Sequence, residues 1–305
     1  MKIGTRKSPL ALAQAAEVRD RLLEAWPELV VELAPMATGG DNFAGALADA
    51  GGKGLFTKEL EEALQDGRID VAVHSVKDMQ TVLPDGLIIG CILEREDPRD
   101  MLVGEGLRSL EDLPKGAKLG TSSLRRAAQV LMQRPDVRIV PLRGNVQTRL
   151  AKVQKGEIAA TLLARAGLNR LDMHDVPGGL LSADEFIPAV GQGALGIECR
   201  ENDAKTMELL APLADADTER AVLCERAFLQ ALDGSCRTPI AGYATVEQGW
   251  LQFHGLIAKP DGSEFHTIET SGAAENAMRL GEQAGQELLQ KAGADFARHC
   301  REHRQ

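Results

Sequence analysis

The chain has 305 residues, of which 44% are hydrophobic and 26% are charged, as expected for a globular protein with a sizeable core and, from length, about two domains. Its formal net charge of −10 argues against nucleic acid or an anionic membrane surface as the main partner. Aromatic residues make up only 3%, too few for a base-stacking surface, and no stretch approaches the ~20 apolar residues of a membrane span.

The cysteines and histidines give no sign of a disulfide framework or a metal centre. The five cysteines are an odd number without a C-x-x-C pair, and the six histidines lack paired metal-ligand spacing. The N-terminus enters a strand pattern directly, without the apolar segment of a signal peptide. These features predict a cytoplasmic protein that binds no metal.

The first elements in the chain predict a βαβ unit. Lys2-Ile3-Gly4-Thr5 is typical of a strand, and Ser8-Pro9 supplies a helix N-cap followed by Pro at the first helical position. Apolar residues at helical spacing continue to Trp26-Pro27, and residues 30–33 predict the next strand. Arg6 lies between the strand and the helix N-terminus, which attracts anions.

A similar strand, cap and helix return after residue 117. Lys118-Leu119-Gly120-Thr121 resembles the opening strand, Ser122-Ser123 is a cap, and Leu124 to Gln133 is a helix. Two further strands are predicted, from Val137 to Leu142 and from Ala159 to Leu163. The repeated order predicts two similar α/β lobes, each presenting a helix N-terminus.

A polar cluster follows another predicted strand. Residues 69–73 alternate as in a core strand, and His74, Ser75, Lys77 and Asp78 follow within five positions. Ligands in open α/β folds bind beyond the carboxyl ends of strands, so this cluster is a candidate site. A charged turn in which Lys77 and Asp78 satisfy each other is the alternative.

The later part of the chain predicts a boundary and a smaller domain. Glu94 to Asp100 is a charged segment interrupted by proline, where we place the boundary between the lobes. A helix from Thr218 to Leu232, three alternating strands and a helix from Ala273 to Ala292 predict a C-terminal α+β domain with a three-stranded antiparallel sheet. The predicted division is lobe 1 from 1–95 plus 190–214, lobe 2 from 96–189, and the C-terminal domain from 215–305.

Two glycine-rich stretches resemble nucleotide-binding motifs without their context. Gly191 to Gly196 matches G-x-G-x-x-G, but Ile197-Glu198-Cys199 predicts a strand where that motif needs a helix. Gly51-Gly52-Lys53-Gly54, in a long Gly/Ala loop that we expect to be mobile, lacks the Ser or Thr of a Walker loop. We therefore predict neither kind of nucleotide site.

Basic side chains occur at or soon after predicted strand ends. Arginine binds carboxylates and phosphates through two parallel hydrogen bonds, so such residues facing a cleft would hold a polyanion. Surface arginines with partners one helical turn away are the alternative, above all for Arg125 and Arg126. The residues concerned are Arg6, Lys77, Arg125, Arg126, Arg143, Arg149 and Arg170.

Cys236 lies in a Gly-Ser-Cys-Arg turn near the end of a predicted helix. The turn would give access to the thiol, and Arg237 would favour its thiolate, so a reactive cysteine is one interpretation. A buried structural thiol is the other, and the residues alone leave both open.

Six motifs, in order along the chain, resemble the porphobilinogen deaminase (hydroxymethylbilane synthase) family. The resemblance runs from Arg6 to Pro239 and leaves a shorter variable segment behind it. The motifs are Gly51-Gly52-Lys53-Gly54-Leu55-Phe56, Val73-His74-Ser75-Val76-Lys77-Asp78, Gly120-Thr121-Ser122-Ser123-Leu124-Arg125-Arg126, Arg143-Gly144-Asn145-Val146-Gln147-Thr148-Arg149, Pro188-Ala189-Val190-Gly191-Gln192-Gly193 and Gly234-Ser235-Cys236.

The resemblance implies a transferase of tetrapyrrole biosynthesis. The family condenses four porphobilinogens, losing ammonia each time, and releases linear hydroxymethylbilane. Its fold is implied to be two periplasmic-binding-protein-like α/β lobes plus a small cysteine-bearing domain, and we expect a monomer. The implied cofactor is one dipyrromethane per chain, built from substrate and held by a thioether that maps to Cys236.

The resemblance also implies roles for individual residues. The catalytic carboxylate maps to Asp78, with Lys77 beside it. The cofactor contacts besides Cys236 map to Ser75, Lys77, Ser123, Arg125 and Arg126. The substrate-binding positions map to Arg6, Ser8, Lys53, Phe56, Arg143, Arg149, Arg170 and Gln192.

The sequence departs from the family pattern at a few positions. Asp49 stands where a basic residue is common in the loop, Met79-Gln80 replaces a small apolar-Pro pair, and Gln147 stands where Gly or Asp is frequent. None of these changes removes a catalytic group. Because the same architecture also serves solute receptors, a non-catalytic two-lobed anion-binding module is the competing hypothesis; such a module would need no reactive cysteine.

Overall fold

The structure, a computed structural model, describes residues 1–39, 57–232 and 239–302. Several positions singled out above lie outside these residues: Asp49, the motif at 51–56 with Lys53 and Phe56, and the turn at 234–237 with Cys236 and Arg237. Within the described ranges no helix combines the length and the apolar composition needed to cross a bilayer.

The first lobe begins with the predicted βαβ unit. Ser8 caps the first helix, and its Oγ accepts a hydrogen bond from the Ala11 N–H at 3.3 Å. The strand predicted over residues 30–33 begins instead at Glu32, because the side chain of Val30 is 82% exposed and faces no core. The elements are β1 (Lys2–Arg6), α1 (Pro9–Ala25), β2 (Glu32–Met36), α2 (Lys58–Gln65), β3 (Val71–Ser75) and an unpredicted strand, β4 (Leu87–Ile92).

The second lobe repeats this arrangement, as predicted. Strand β6 lies parallel between β7 and β8, just as β1 lies parallel between β2 and β3. Ser123 caps the helix after β6, as Ser8 caps α1. The elements are β5 (Asp100–Val103), β6 (Lys118–Gly120), α3 (Leu124–Gln133), β7 (Arg138–Val140), α4 (Val146–Gln154), β8 (Ala160–Ala164), α5 (Arg165–Asn169) and β9 (Gly178–Leu180).

The chain crosses between the lobes twice. The outward crossing is residues 94–99, and the return crossing is residues 188–194. Strand β10 (Leu195–Arg200) then joins the first sheet, antiparallel to β3 and β4, just as β5 is antiparallel to β8 and β9 in the second sheet. The strand orders are β2-β1-β3-β10-β4 and β7-β6-β8-β5-β9.

The glycine-rich stretch at 191–196 belongs to the return crossing, and a strand follows it as predicted. Gly193 has a φ of +91°, and a Cβ there would lie 2.2 Å from the carbonyl oxygen of Glu96. The N–H of Glu96 donates to the carbonyl of Gly193 at 3.3 Å. Glycine is therefore required because the two crossings run in contact.

The C-terminal domain has the predicted three-stranded antiparallel sheet, in the order β11-β12-β13. Its core includes Phe228 and Phe253, whose ring centroids are 4.8 Å apart. The last helix begins at Ala277, later than predicted, because β13 continues to Ala273, and Gly293 interrupts the helix with a φ of 78°. Helix α6 (Ala204–Leu210) precedes this domain and contributes Leu210 to the core of the first lobe. The elements of the C-terminal domain are α7 (Ala216–Ala231), β11 (Ile240–Glu247), β12 (Trp250–Ala258), β13 (Phe265–Ala273) and α8 (Ala277–Glu302).

One buried carboxylate joins the C-terminal domain to both crossings. Glu225 of α7 is fully buried and accepts hydrogen bonds from Arg95 Nη1 at 2.6 Å and from Arg95 Nη2 at 3.1 Å. It also accepts from the N–H groups of Gly191 at 2.6 Å and Ala244 at 2.9 Å. Arg95 Nε in turn donates to the carbonyl of Gln192 at 2.8 Å. The two crossings between the lobes and the C-terminal domain therefore meet at this ion pair.

We expect Glu225→Gln to destabilise the protein strongly. The change leaves the guanidinium of Arg95 buried without its counter-charge, and breaking a buried pair in this way typically costs ~3–5 kcal/mol. The measurement is the free energy of unfolding in urea. Glu62→Gln is the matched control, since it removes an exposed pair with Lys58 at 3.9 Å. A loss below about 1 kcal/mol for Glu225→Gln, as for a surface pair, would contradict this expectation.

Candidate active site

A pocket in the first lobe lies where β1 and β3 end and α1 begins. Gln14 projects from α1 into this region, and its Nε2 donates to Ser75 Oγ at 2.8 Å. The structure thus brings together four residues to which the resemblance assigned roles. The polar residues that line the pocket are Arg6, Ser8, Gln14, Thr57, His74, Ser75 and Asp78.

His74 is held inside the first lobe by a carboxylate. Its Nε2 lies 3.0 Å from Glu198 Oε2, and the two side chains are 4% and 0% exposed. The two residues belong to the neighbouring strands β3 and β10. His74 therefore contributes a wall of the pocket and a link between strands, whereas Asp78 is exposed to the solvent.

Lys77 connects the first lobe to the outward and return crossings. Its Nζ donates to Gln192 Oε1 at 3.3 Å. Gln192 Nε2 then donates to the carbonyl of Pro98 at 2.7 Å and to Asp100 Oδ1 at 3.1 Å. Through Gln192, Lys77 is joined to the first strand of the second lobe.

Arg125 and Arg126 are buried rather than on the surface, so for these two residues the alternative of surface arginines is wrong. They are 6% and 7% exposed and share the fully buried carboxylate of Asp100. Arg125 Nη2 donates to Asp100 Oδ2 at 2.7 Å, and Arg126 Nη2 donates to Asp100 Oδ1 at 2.6 Å. Burial alone would raise the pKa of Asp100, but these two arginines hold it well below its usual range. Asp100 is therefore an acceptor that stays ionised.

The positive charges of this region lower the pKa values of neighbouring cationic side chains. Burial and the charge of Arg126 lower the pKa of Lys77 from 10.5 to about 8, although Asp78 and Asp100 oppose the shift. Burial and the charge of Arg126 likewise lower the pKa of Arg149 to about 10, with a further contribution from Arg143. We call Lys77, Arg125, Arg126, Arg143 and Arg149 the cationic group. Its charge exceeds that of Asp78 and Asp100, which suits a ligand with several carboxylates.

Ser123 and Arg149 have partners close by in the sequence, whereas the partner of Arg170 is distant. Ser123 Oγ accepts from the N–H of Arg126 at 3.4 Å at the start of α3. Arg149 Nε donates to the carbonyl of Gly144 at 3.0 Å. Arg170 differs from the cationic group, since its Nε donates to Glu17 at 2.9 Å.

Two residues of this region were missing from the sequence-based prediction. Gln14 is 6% exposed on the apolar side of α1, and a polar residue in an apolar helical stripe was the available signal. Asp100 was assigned to a charged connection, but it opens β5 and is fully buried. Its partners are 25 and 26 positions away, so no local pattern indicated the pairing.

Three cysteines lie in the hydrophobic interior. Burial raises the pKa of Cys91 to about 12, of Cys199 to about 11 and of Cys224 to about 12. All three are unpaired and buried. These thiols are structural groups of the core.

Comparison with protein families shows the family of the chain. The family model described as "Porphobilinogen deaminase, dipyromethane cofactor binding domain" matches residues 1–208, and "Porphobilinogen deaminase, C-terminal domain" matches residues 219–290. The chain belongs to the porphobilinogen deaminase family. It is 50% identical over 304 residues to "Porphobilinogen deaminase, chloroplastic" of Oryza sativa subsp. japonica, an alignment that covers 97% of this chain and 85% of the relative.

Family membership confirms the activity that the motifs implied. The protein is a hydroxymethylbilane synthase, a transferase of tetrapyrrole biosynthesis that acts on porphobilinogen and carries a dipyrromethane cofactor. The competing hypothesis of a non-catalytic anion-binding module is not supported. The excess of positive charge in the cationic group fits a cofactor whose two pyrrole rings each bear two carboxylates.

Solved structures of solute-binding proteins are similar to this chain at low sequence identity. The periplasmic aliphatic sulphonate binding protein SsuA from Escherichia coli has a TM-score of 0.43 and 17% identity, covering 76% of this chain and 70% of that one. The probable amino-acid ABC transporter extracellular-binding protein ytmK from Bacillus subtilis has a TM-score of 0.42 and 11% identity, covering 70% and 89%. The predicted fold class, two α/β lobes with a small α+β domain, is confirmed.

The lowered pKa of Lys77 predicts a pH dependence of stability in cofactor-free protein. Between pH 8 and 10.5 the unfolded chain keeps the Lys77 proton while the folded chain loses it. Raising the pH through this window therefore stabilises the folded state. We expect the free energy of unfolding of wild type, measured against Lys77→Met at each pH, to rise across the window. Lys58→Met, which removes an exposed lysine, should show no such trend.

Proposed function

We propose that the condensation of porphobilinogen takes place at the pocket of the first lobe, with Asp78 as the catalytic carboxylate. The observation that carries this proposal is the position of Asp78. It lines the pocket together with Arg6 and Ser8, and its charge acts on Lys77 and Arg149 of the cationic group. Asp100 has both carboxylate oxygens engaged by arginines, and Glu198 is buried 3.0 Å from His74, which favours Asp78 for the chemistry.

The proposed role of Asp78 follows the charge that develops on the substrate. In porphobilinogen the bond between the aminomethyl carbon and nitrogen breaks, ammonia leaves with the electron pair, and a cationic azafulvene remains. A carboxylate stabilises this cation where it forms. The cation then bonds to the free α-carbon of a pyrrole, and Asp78 accepts the proton that this carbon loses. When bound, dipyrromethane supplies the first such pyrrole carbon.

We propose that the cationic group binds the carboxylates of the cofactor and of the growing chain. Each added porphobilinogen brings two carboxylates, so the charge to be neutralised increases with every step. The burial of Arg125 and Arg126 supports this role, because hydrogen bonds from guanidinium groups to carboxylates are stronger away from water. We propose that the same carboxylates also accept hydrogen bonds from uncharged side chains, those of Ser75, Ser123 and Gln192. The proposed substrate-binding residues are Arg6, Ser8, Lys53, Phe56, Arg143, Arg149, Arg170 and Gln192.

We also propose the division into lobes 1–95 plus 190–214 and 96–189 and a C-terminal domain 215–305. The pairing of β10 with β3 and β4 supports the return of the chain to the first lobe. A cytoplasmic monomer is our proposal for the state of the protein. The unpaired thiols of Cys91, Cys199 and Cys224 are consistent with a reducing compartment.

We expect Asp78→Asn to lower kcat by ~10²–10³-fold, by analogy with the loss of one preorganised electrostatic contact. Folding and cofactor attachment should survive, because the change is nearly isosteric. Asp78→Glu should retain more activity than Asp78→Asn, since it keeps the charge. The measurement is porphobilinogen consumption by purified, cofactor-loaded variants. Near-normal turnover of the Asn variant would assign the catalytic role to another residue.

We expect Cys236→Ala to carry no dipyrromethane and to have no turnover. The reason is that the thioether needs a thiolate, and the family motif maps the attachment to this residue alone. Intact mass spectrometry distinguishes the two states, because wild type should exceed its sequence mass by one dipyrromethane. Cys91→Ala is the control and should keep the added mass, as its thiol is buried. A covalent cofactor on the Cys236 variant would contradict the assignment.

A further inference from the structure

Arg170 of the second lobe is bound to the first lobe. It follows α5, and its Nε donates to Glu17 Oε2 of α1 at 2.9 Å. Its Nη2 donates to the carbonyl of Gly193 in the return crossing at 3.2 Å. The side chain of Arg170 is only 8% exposed. One guanidinium thus contacts a helix of the opposite lobe and the segment that connects the lobes.

Glu17 is itself held in position for this contact. Its Oε1 accepts from Arg21 Nη2 at 3.1 Å, one helical turn further along α1. The lobes approach each other closely here, since a Cβ on Gly167 of α5 would lie 3.4 Å from Leu10 Cδ2. The Glu17 side chain is nevertheless 26% exposed, so the carboxylate of a ligand in solution can reach the ion pair of Glu17 and Arg170. A partly exposed ion pair is also weak enough to exchange partners.

The carboxylate of Glu17 presents to Arg170 the same chemical group as the side chains of a pyrrole substrate. Because one edge of a guanidinium binds one carboxylate, Glu17 and a substrate would compete for the Nε edge of Arg170. We propose that Glu17 is a positioning residue that holds Arg170 until a carboxylate of porphobilinogen or of the growing chain replaces it. This inference rests on the substrate-binding role of Arg170 proposed above.

The exchange would couple substrate binding to the positions of the lobes. Glu17 lies in α1 of the first lobe and Arg170 in the second, so a carboxylate that takes the place of Glu17 removes a contact between them. By the reciprocity of linked equilibria, separation of the lobes favours carboxylate binding as much as binding favours separation. Arg170 thereby becomes available when the cleft widens to admit a longer chain.

The test compares Glu17→Gln with Arg170→Gln in the full-length, cofactor-loaded protein. Glu17→Gln removes the competing charge at nearly constant shape, so KM for porphobilinogen should fall roughly two- to fivefold, the scale of one partly exposed ion pair. Its kcat should stay within about twofold, because the interaction removed is one of binding rather than of the reaction. Arg170→Gln should raise KM. Glu287→Gln, which removes an exposed pair with Lys291 at 3.1 Å, should change neither constant.

A second readout does not depend on turnover. Without substrate, both Glu17→Gln and Arg170→Gln should speed amide hydrogen exchange in α1 and α5, because the contact between the lobes is lost. The double variant Glu17→Arg with Arg170→Glu should restore slow exchange but keep a high KM. Glu17→Asp, which keeps the charge on a shorter side chain, should lie between wild type and Glu17→Gln and replaces the latter if it folds poorly.

The substrate-binding role of Arg170 and the replacement of Glu17 by a substrate carboxylate can be tested separately. If Arg170→Gln raises KM while Glu17→Gln leaves it unchanged or raises it, the exchange is overturned and the substrate-binding role of Arg170 stands. If Arg170→Gln leaves KM unchanged, the binding role is overturned and the exchange with it. A lower KM for Glu17→Gln together with faster exchange in α1 and α5 supports the whole proposal.

Discussion

The ion pair between Glu225 and Arg95 is the constraint on which the arrangement of the molecule depends. Its carboxylate is fully buried, so it is stable only with all of its partners, and these come from both crossings and from the C-terminal sheet. Further contacts support this ion pair, since Arg226 of α7 donates to the carbonyls of Gln80 and Thr81 in the first lobe and Ala128 of the second lobe packs against Leu256 of β12. Because Lys77 belongs to the first lobe and Arg126 to the second, the geometry of the cationic group depends on how these contacts hold the lobes relative to each other.

The site is organised by an imbalance of charge inside a protein of net charge −10. Asp100 neutralises part of the cationic group permanently, since its carboxylate is buried and its pKa is depressed. The remaining positive charge exceeds the single charge of Asp78 and is left for ligands. Each carboxylate that binds reduces the repulsion among the cations. The same residues can thus hold a short cofactor and a longer chain, because charge matching tolerates a range of positions better than shape matching does.

The fold could be predicted in large part because its signals are local. Ser8 and Ser123 cap their helices, and both βαβ units follow from them. The pairing of Asp100 with Arg125 and Arg126 could not be predicted, because it joins residues that meet only after β5 enters the second sheet. The resemblance to a family assigned a role to Arg170, but its partner Glu17 lies 153 positions away and has no sequence signal.

Burial of Cys91, Cys199 and Cys224 matters for an enzyme whose substrate becomes a carbon electrophile. An azafulvene alkylates thiolates as well as pyrroles, and an adduct on any of these three sulfurs would lead to no product. With pKa values raised to about 11 or 12, these thiols carry almost no thiolate at neutral pH. Burial in the hydrophobic core therefore suppresses alkylation of these thiols, in addition to stabilising the fold. It protects the protein from its own reactive intermediate by keeping these competing nucleophiles protonated and out of reach.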